Sequence, residues 1–320
     1  MQYIFIFLKG LAMGAADVVP GVSGGTVAFI SGIYERLINA LKSIHPRVLT
    51  TLFKSGIKAA WQQIDGTFLL VLMLGILTSV LSLAKVITIG LAQYPQLIWS
   101  FFFGLVLSST WFIARDIHKE GKKALAEGNS NAVQNGGFNL ISIVAFIIGA
   151  GIAYAITILS PTTIEPTYPM VFLAGAIAIC AMILPGISGS FILLLMGMYM
   201  PVLEAAKSLN IVFIGIFMMG CLLGLLAFSH VLSWLFRNYR SAAMAVLAGF
   251  MLGSLNKVWP WQNVIATRPN SKNELVPFLY ENVLPANYTA HEPMLLACIG
   301  LLVVGFAAVF ALEMLNTKEK

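Results

Sequence analysis

Two short segments of the chain combine proline, glycine and hydroxyl side chains in an otherwise apolar sequence: ADVVPGVSGGT from Ala16 to Thr26, and AMILPGISGS from Ala181 to Ser190. A helix that stops at Pro-Gly and restarts at Ser-Gly leaves the first amides of the new helix without intrahelical partners. Such amides, with the positive end of a helix dipole behind them, favour anions such as phosphate or carboxylate. Ser23, Gly24, Gly25 and Thr26 are therefore candidate ligands for an anion such as phosphate in the first segment. Ser188, Gly189 and Ser190 are their counterparts in the second. The plainer use of the same residues is close helix packing, which glycine and serine also permit.

Few titratable residues accompany these segments. Asp17 precedes the first break and has Met182 at the matching position, so a shared fold does not require it. It is a candidate carrier of a coupling proton or cation, or an ordinary helix cap. Lys85 lies inside an apolar run, where an unpaired lysine at the bilayer centre costs about 2.5 to 3.5 kcal/mol. It matches His230 of the second half, and both are candidates for the substrate path: Lys85 as a headgroup ligand, His230 as a proton carrier. Their alternatives are a snorkelling lysine and a hydrogen-bonded structural histidine. Glu35 and Arg36 follow the first segment and read as a pair, a gate, or solvated interfacial charges.

No HExxH, GxSxG, Walker loop or Cys/His cluster occurs, so no enzyme, metal site or cofactor is expected beyond a coupling proton or sodium ion. Cys180, Cys221 and Cys298 are odd in number and lie in apolar runs, as packing residues do. The net charge of +6 resides mostly in loops between apolar spans, which argues for membrane orientation and against a nucleic-acid partner.

The elements that position these residues follow from hydropathy. Of the 320 residues, 59% are hydrophobic and 10% charged, with a mean hydropathy of +0.88, whereas soluble domains carry roughly a quarter of their residues as charges. Runs of about 20 apolar residues recur, and alternating strands do not, so the expected fold is an all-α polytopic membrane protein. IFIFL near the start resembles a signal peptide, but Lys9 follows it and a related segment recurs mid-chain, so cleavage is not expected.

The chain also matches itself. At one fixed offset Ala16, Pro20, Gly21, Ser23, Gly24, Gly32, Tyr34, Ala40, Lys42 and Ser43 meet Ala181, Pro185, Gly186, Ser188, Gly189, Gly197, Tyr199, Ala205, Lys207 and Ser208. After a change of offset Gly75 meets Gly220, Tyr94 meets Tyr239, and the run to Ser109 meets the run to Ser254. Residues 1–165 and 166–320 thus read as two repeats. Each begins with a broken segment, about 2–34 or 170–200. Spans follow over about 67–90, 97–114 and 140–160, then 211–236, 242–256 and 294–314.

Loop charges favour a re-entrant hairpin over a kinked span at each break. Arg36, Lys42, Arg47, Lys54 and Lys58 mark one loop as cytoplasmic, and Arg115, Lys119, Lys122 and Lys123 another. A re-entrant second hairpin also puts Arg237, Arg240, Lys318 and Lys320 there, although Arg268, Lys272 and Lys207 then lie outside. Three crossings per copy, an odd number, make the second repeat an inverted copy of the first, the layout of many secondary transporters.

At PGVSGGTVAFISGIYERL and its echo PGISGSFILLLMGMY, with the opening GAADVVPGVSGGT, the sequence resembles the polyprenyl-phosphate transporter family PopT, formerly a bacterial domain of unknown function. The likeness covers nearly the whole chain. It implies a multi-pass protein of the bacterial cytoplasmic membrane that returns undecaprenyl phosphate, the lipid carrier of cell-wall precursors, to the inner leaflet. The substrate comes from that resemblance alone. The alternatives are a transporter of a small soluble anion and a lipid-binding membrane protein without turnover; the sequence carries no signal for oligomeric state.

Overall fold

The computed structural model describes residues 2–19, 22–45, 47–126, 140–162, 164–269 and 275–317. Thirteen α-helices are found among them. The first half contains α1 (Gln2–Val18), α2 (Gly24–Ile30), α3 (Tyr34–Lys42), α4 (Arg47–Gln63), α5 (Gly66–Gln93), α6 (Pro95–Ala126) and α7 (Leu140–Ile158). The second contains α8 (Tyr168–Ile183), α9 (Gly189–Leu195), α10 (Tyr199–Lys207), α11 (Ile211–Asn238), α12 (Arg240–Ser254) and α13 (Leu295–Thr317). The protein is a largely helical, polytopic membrane protein. Four helices, α5, α6, α7 and α11, are long and apolar enough to cross a bilayer, and the bent pair α9 and α10 would make a fifth. Leu81, Ile211 and Leu296 each expose more than 80% of their surface, as apolar residues facing lipid do.

Six expected spans appear as helices; five end within about three residues of the expected bounds, whereas α6 runs on to Ala126, so the stretch from Arg115 to Lys123, expected as a loop, continues the helix. The two broken segments appear as helix, break, short helix and second short helix. Of the first break, Pro20 and Gly21 lie outside the described residues; the basic ends at Lys318 and Lys320 and the loop lysine Lys272 do so too. Between α9 and α10 the chain turns by 108°. The segment carrying Arg36 to Lys58, expected as a loop, is folded into α3 and α4, with Gly56 interrupting α4 at φ 84°, a left-handed value that suits glycine.

One element departs from the helical expectation. Residues after Trp259 form an antiparallel hairpin of β1 (Gln262–Pro269) and β2 (Leu275–Asn282). Its strands, QNVIATRP and LVPFLYEN, mix apolar and polar residues without a strict period-two alternation, and each carries a proline, so the pattern does not separate them from a loop. Side-chain contacts tie it down: Gln262 Nε2 donates to Asn282 Oδ1 (2.9 Å), Asn282 Nδ2 to the Asn256 carbonyl (2.7 Å), and Trp259 Nε1 to the Val283 carbonyl (2.9 Å).

Helices associate in close pairs through glycine. Gly10 and Gly75 bring α1 against α5, where Gly10 meets the Leu72 carbonyl and Gly75 that of Phe7. Gly175 and Gly220 do the same for α8 and α11, against Phe217 and Phe172. Gly104 and Gly305 join α6 to α13, and Gly149 and Gly249 join α7 to α12. Lipid gives no hydrophobic drive for helix association, so van der Waals contact between backbones must supply it.

Gly75→Ala places a methyl group on the Phe7 carbonyl and should cost about 1 to 3 kcal/mol. Gly151→Ala, where nothing lies within 4 Å, should leave stability unchanged. Thermal unfolding of the detergent-solubilised variants checks both.

Candidate functional site

The two breaks meet inside the protein. Ser23 Oγ donates to the Met182 carbonyl at 2.9 Å, and the Gly186 N–H donates to Thr26 Oγ1 at 2.8 Å. Ser23 and Thr26 are fully buried. Gly186 adopts φ 86°, and a side chain at Gly25 would lie 2.5 Å from the Ile183 carbonyl, so both positions demand glycine. Each break supplies the partner that the other needs, as a buried non-helical backbone requires.

The starts of the two short helices differ. At α2 the Gly24 N–H donates to Asp17 Oδ1 at 2.6 Å and the Gly25 N–H to Ser23 Oγ at 3.1 Å. These amides, expected to be free for an anion, are satisfied by the chain's own groups, with Asp17 as the carboxylate at the helix start. At α9, where Met182 stands in place of aspartate, Ser188 makes no capping bond and its hydroxyl lies 2.8 Å from that of Ser190. Gly189 is buried; Ser190 opens onto a cavity.

That cavity, of about 700 Å³, lies between the ends of α1 and α5, the segment from α9 to α10, and the β-hairpin. Asp17, Trp99, Ser190, Tyr199 and Lys257 line it, with His291 and Tyr280 at the hairpin side. The Lys257 ammonium stands 4.5 Å from the centre of the Phe191 ring and 5.6 Å from that of Tyr280, within cation–π range. Lys257 follows α12 outside the spanning helices, and burial pushes its pKa below the usual lysine range. Among the described residues it makes no ion pair. It is a half-desolvated cation facing an open chamber. Its sequence position, between an apolar helix and Trp259-Pro260-Trp261, resembles an interfacial anchor and gives no sign that the side chain turns inward.

Other expected residues are placed elsewhere. Lys85 is exposed on α5 and does not line the cavity. His230 is exposed on α11, its Nδ1 lying 2.8 Å from the Leu226 carbonyl of its own helix. Glu35 and Arg36 do not pair with each other. Arg36 binds both carboxylate oxygens of Asp65 (2.6 and 3.0 Å) and covers the Phe68 ring at 4.3 Å. Glu35 Oε1 accepts from Arg240 Nε and Nη2 at 3.1 and 2.8 Å, tying α3 to the start of α12. That contact joins residues 205 positions apart, which is why adjacency in sequence misled.

The family whose profile matches the chain is described as undecaprenyl phosphate translocase-like, and the match runs over residues 13–276. The chain belongs to this family. It is 48% identical over 316 residues to a polyprenyl-phosphate transporter of Vibrio cholerae, covering 98% of this chain and 97% of that one. It is 29% identical over 259 residues to a polyprenyl-phosphate transporter of Staphylococcus aureus, covering 79% and 85%. No solved structure matches it. The family match takes in both breaks and Lys257.

Thr26→Val should leave the Gly186 N–H buried without a partner, at about 1 to 3 kcal/mol. Thr26→Ser keeps the acceptor and should retain most of that stability. Thermal unfolding in detergent distinguishes the two variants.

Proposed function

We propose that the protein carries polyprenyl phosphate, undecaprenyl phosphate in a bacterium, across the cytoplasmic membrane by alternating access, for recycling of the carrier lipid. The observation that carries this reading is the Lys257 cavity beside the meeting breaks. A lipid phosphate needs a cation in a polar chamber for its headgroup and a sideways opening for its apolar tail. Lys257, Ser190 and Gln262 serve the headgroup, and Leu91, Phe191 and Leu194 offer an apolar wall. The names of both relatives, transporters and not enzymes, agree with this assignment.

We further infer that the chain is two inverted repeats, each a re-entrant hairpin with three spans. Corresponding glycines support it: the contact of Gly10 with Leu72 repeats as that of Gly175 with Phe217, and Gly104 with Leu302 as Gly249 with Phe146. The paired helices run parallel, since along each pair the contacting positions rise together. α5 and α6 are joined at Tyr94 and run oppositely, as are α11 and α12 at Tyr239. If α6 and α7 are successive crossings, and with α12 parallel to α7, α5 and its counterpart α11 point in opposite directions. The basic residues of α3 and α4 put that end in the cytoplasm, so the cavity faces outside.

Inward movement of an anion works against a negative-inside potential at about 2.3 kcal/mol per charge per 100 mV. Asp17 shares the cavity with Lys257, and its carboxylate would repel an arriving phosphate unless protonated. A proton taken up there lowers that repulsion and offsets the transported charge. In this reading Asp17 carries the coupling ion.

Proteoliposomes reporting headgroup reorientation of a polyprenyl phosphate provide the test. Lys257→Gln should lower the rate more than tenfold, the loss expected of one charge-assisted hydrogen bond of about 1.5 to 3 kcal/mol, while the protein remains folded. Wild-type rates in that variant would refute the assignment. Because Lys257 binds an anion only when protonated, the rate should fall as pH rises through its lowered pKa, at lower pH than for a free lysine. Asp17 and His291 also line the cavity, so Lys257→Arg, which keeps its charge, isolates the lysine by removing only its share of this fall. Asp17→Asn should make the rate insensitive to a pH gradient.

A further inference from the structure

The two faces of the protein are in opposite conditions. On one, α3 lies along α11. Lys42 Nζ donates to Ser233 Oγ and Ser233 Oγ to Asn39 Oδ1, each at 3.1 Å, and the Tyr34 and Phe236 rings meet edge to face with centroids 5.9 Å apart. At the offsets that align the two halves, α3 corresponds to α10 and α11 to α5. Asn39, Lys42 and Tyr34 then match Glu204, Lys207 and Tyr199, while Ser233 and Phe236 match Thr88 and Leu91. Among the described residues α10 makes no comparable packing on α5, and Tyr199 and Leu91 instead line the open cavity.

Tyr34 provides a second, independent observation. It is 2% exposed, and its buried hydroxyl has no hydrogen-bond partner among the described residues. A buried orphan hydroxyl is uncommon in a native protein and signals a ligand or a second state. Its counterpart Tyr199 already faces the chamber that holds Ser190 and Lys257.

Resting on the functional reading above, we propose a second phosphate site, shut in this structure, in which the Tyr34 hydroxyl donates to the lipid phosphate. It opens when α3 leaves α11 and α10 closes onto α5, with Tyr199 against Leu91 and with Glu204 and Lys207 against Thr88. The ligand class is a phosphate monoester on an apolar chain, the same as that of the open cavity. The two gates are unequal. The Glu35–Arg240 ion pair holds the α3 gate, whereas Met200 and Pro95, the matching positions on the other face, carry no charge.

The test uses the full chain with its three cysteines replaced, in proteoliposomes containing a polyprenyl phosphate. A Thr88→Cys, Glu204→Cys pair should crosslink under oxidation and arrest transport, and reductant should restore it, which also shows that the variant is folded. An Asn39→Cys, Ser233→Cys pair should arrest transport yet preserve lipid binding from the cavity side. Tyr34→Phe keeps the packed ring and loses only the hydroxyl. It should slow transport by roughly tenfold, as expected for loss of one hydrogen bond to a charged group, with cavity-side binding unchanged. A purely structural Tyr34 predicts full activity in that variant. Full activity of Tyr34→Phe, or failure of residues 88 and 204 to crosslink in protein that transports, overturns the proposal. If the parent protein moves no polyprenyl phosphate, the functional reading fails instead; crosslinking at 88 and 204 then still reports whether the gates exchange.

Discussion

Two hydrogen bonds at the centre of the molecule, from Ser23 Oγ to the Met182 carbonyl and from the Gly186 N–H to Thr26 Oγ1, hold the rest of the architecture in place. Hydrocarbon offers no water to a backbone that leaves its helix, so every interruption must be satisfied by protein. Here each interruption satisfies the other. The glycines around these bonds follow from the same constraint: Gly25 lets the Ile183 carbonyl approach, and Gly186 takes a left-handed turn. Helix breaks that would be a liability alone become a fixed joint, against which the surrounding helices can be arranged differently on the two faces.

The difference between those faces is accompanied by specific chemical differences between corresponding positions of the two halves. Asp17 against Met182 means that one helix start is filled by a carboxylate and the other carries no cap from its serine. Glu35, where the second half has Met200, gives one face its ion pair to Arg240. The β-hairpin, present in the second half, walls a chamber containing a desolvated lysine. In the inverted-repeat reading proposed above, a pseudo-symmetric frame with asymmetric chemistry suits a carrier whose substrate has a charged end and an apolar end.

Much of this was legible in the sequence, and for identifiable reasons. Span length is imposed by bilayer thickness, so α5, α6, α7 and α11 stand out by hydropathy alone. The breaks stand out because Pro-Gly and Ser-Gly pairs interrupt those runs, and the internal match includes Gly75 and Gly220, which serve the same close approach in each half. What stayed hidden depends on contacts between distant positions. Thr26 meets Gly186 across 160 residues and Glu35 meets Arg240 across 205, so adjacency suggested a Glu35–Arg36 pair that does not form. Lys257 reads as an anchor until the hairpin folds over it, and Asp17 reads equally as carrier or cap; its bond to Gly24 shows the cap and leaves the carrier role to the proposal above.

The central claim is that the two breaks enter from opposite faces of the bilayer and meet at the middle. It is tested most directly by labelling single cysteines at Ser43, after α3, and Ser208, after α10, in intact cells with a membrane-impermeant thiol reagent, the native cysteines having been replaced. The account predicts labelling at 208 from outside and at 43 only after the cells are opened. Labelling of both from the same side would contradict it.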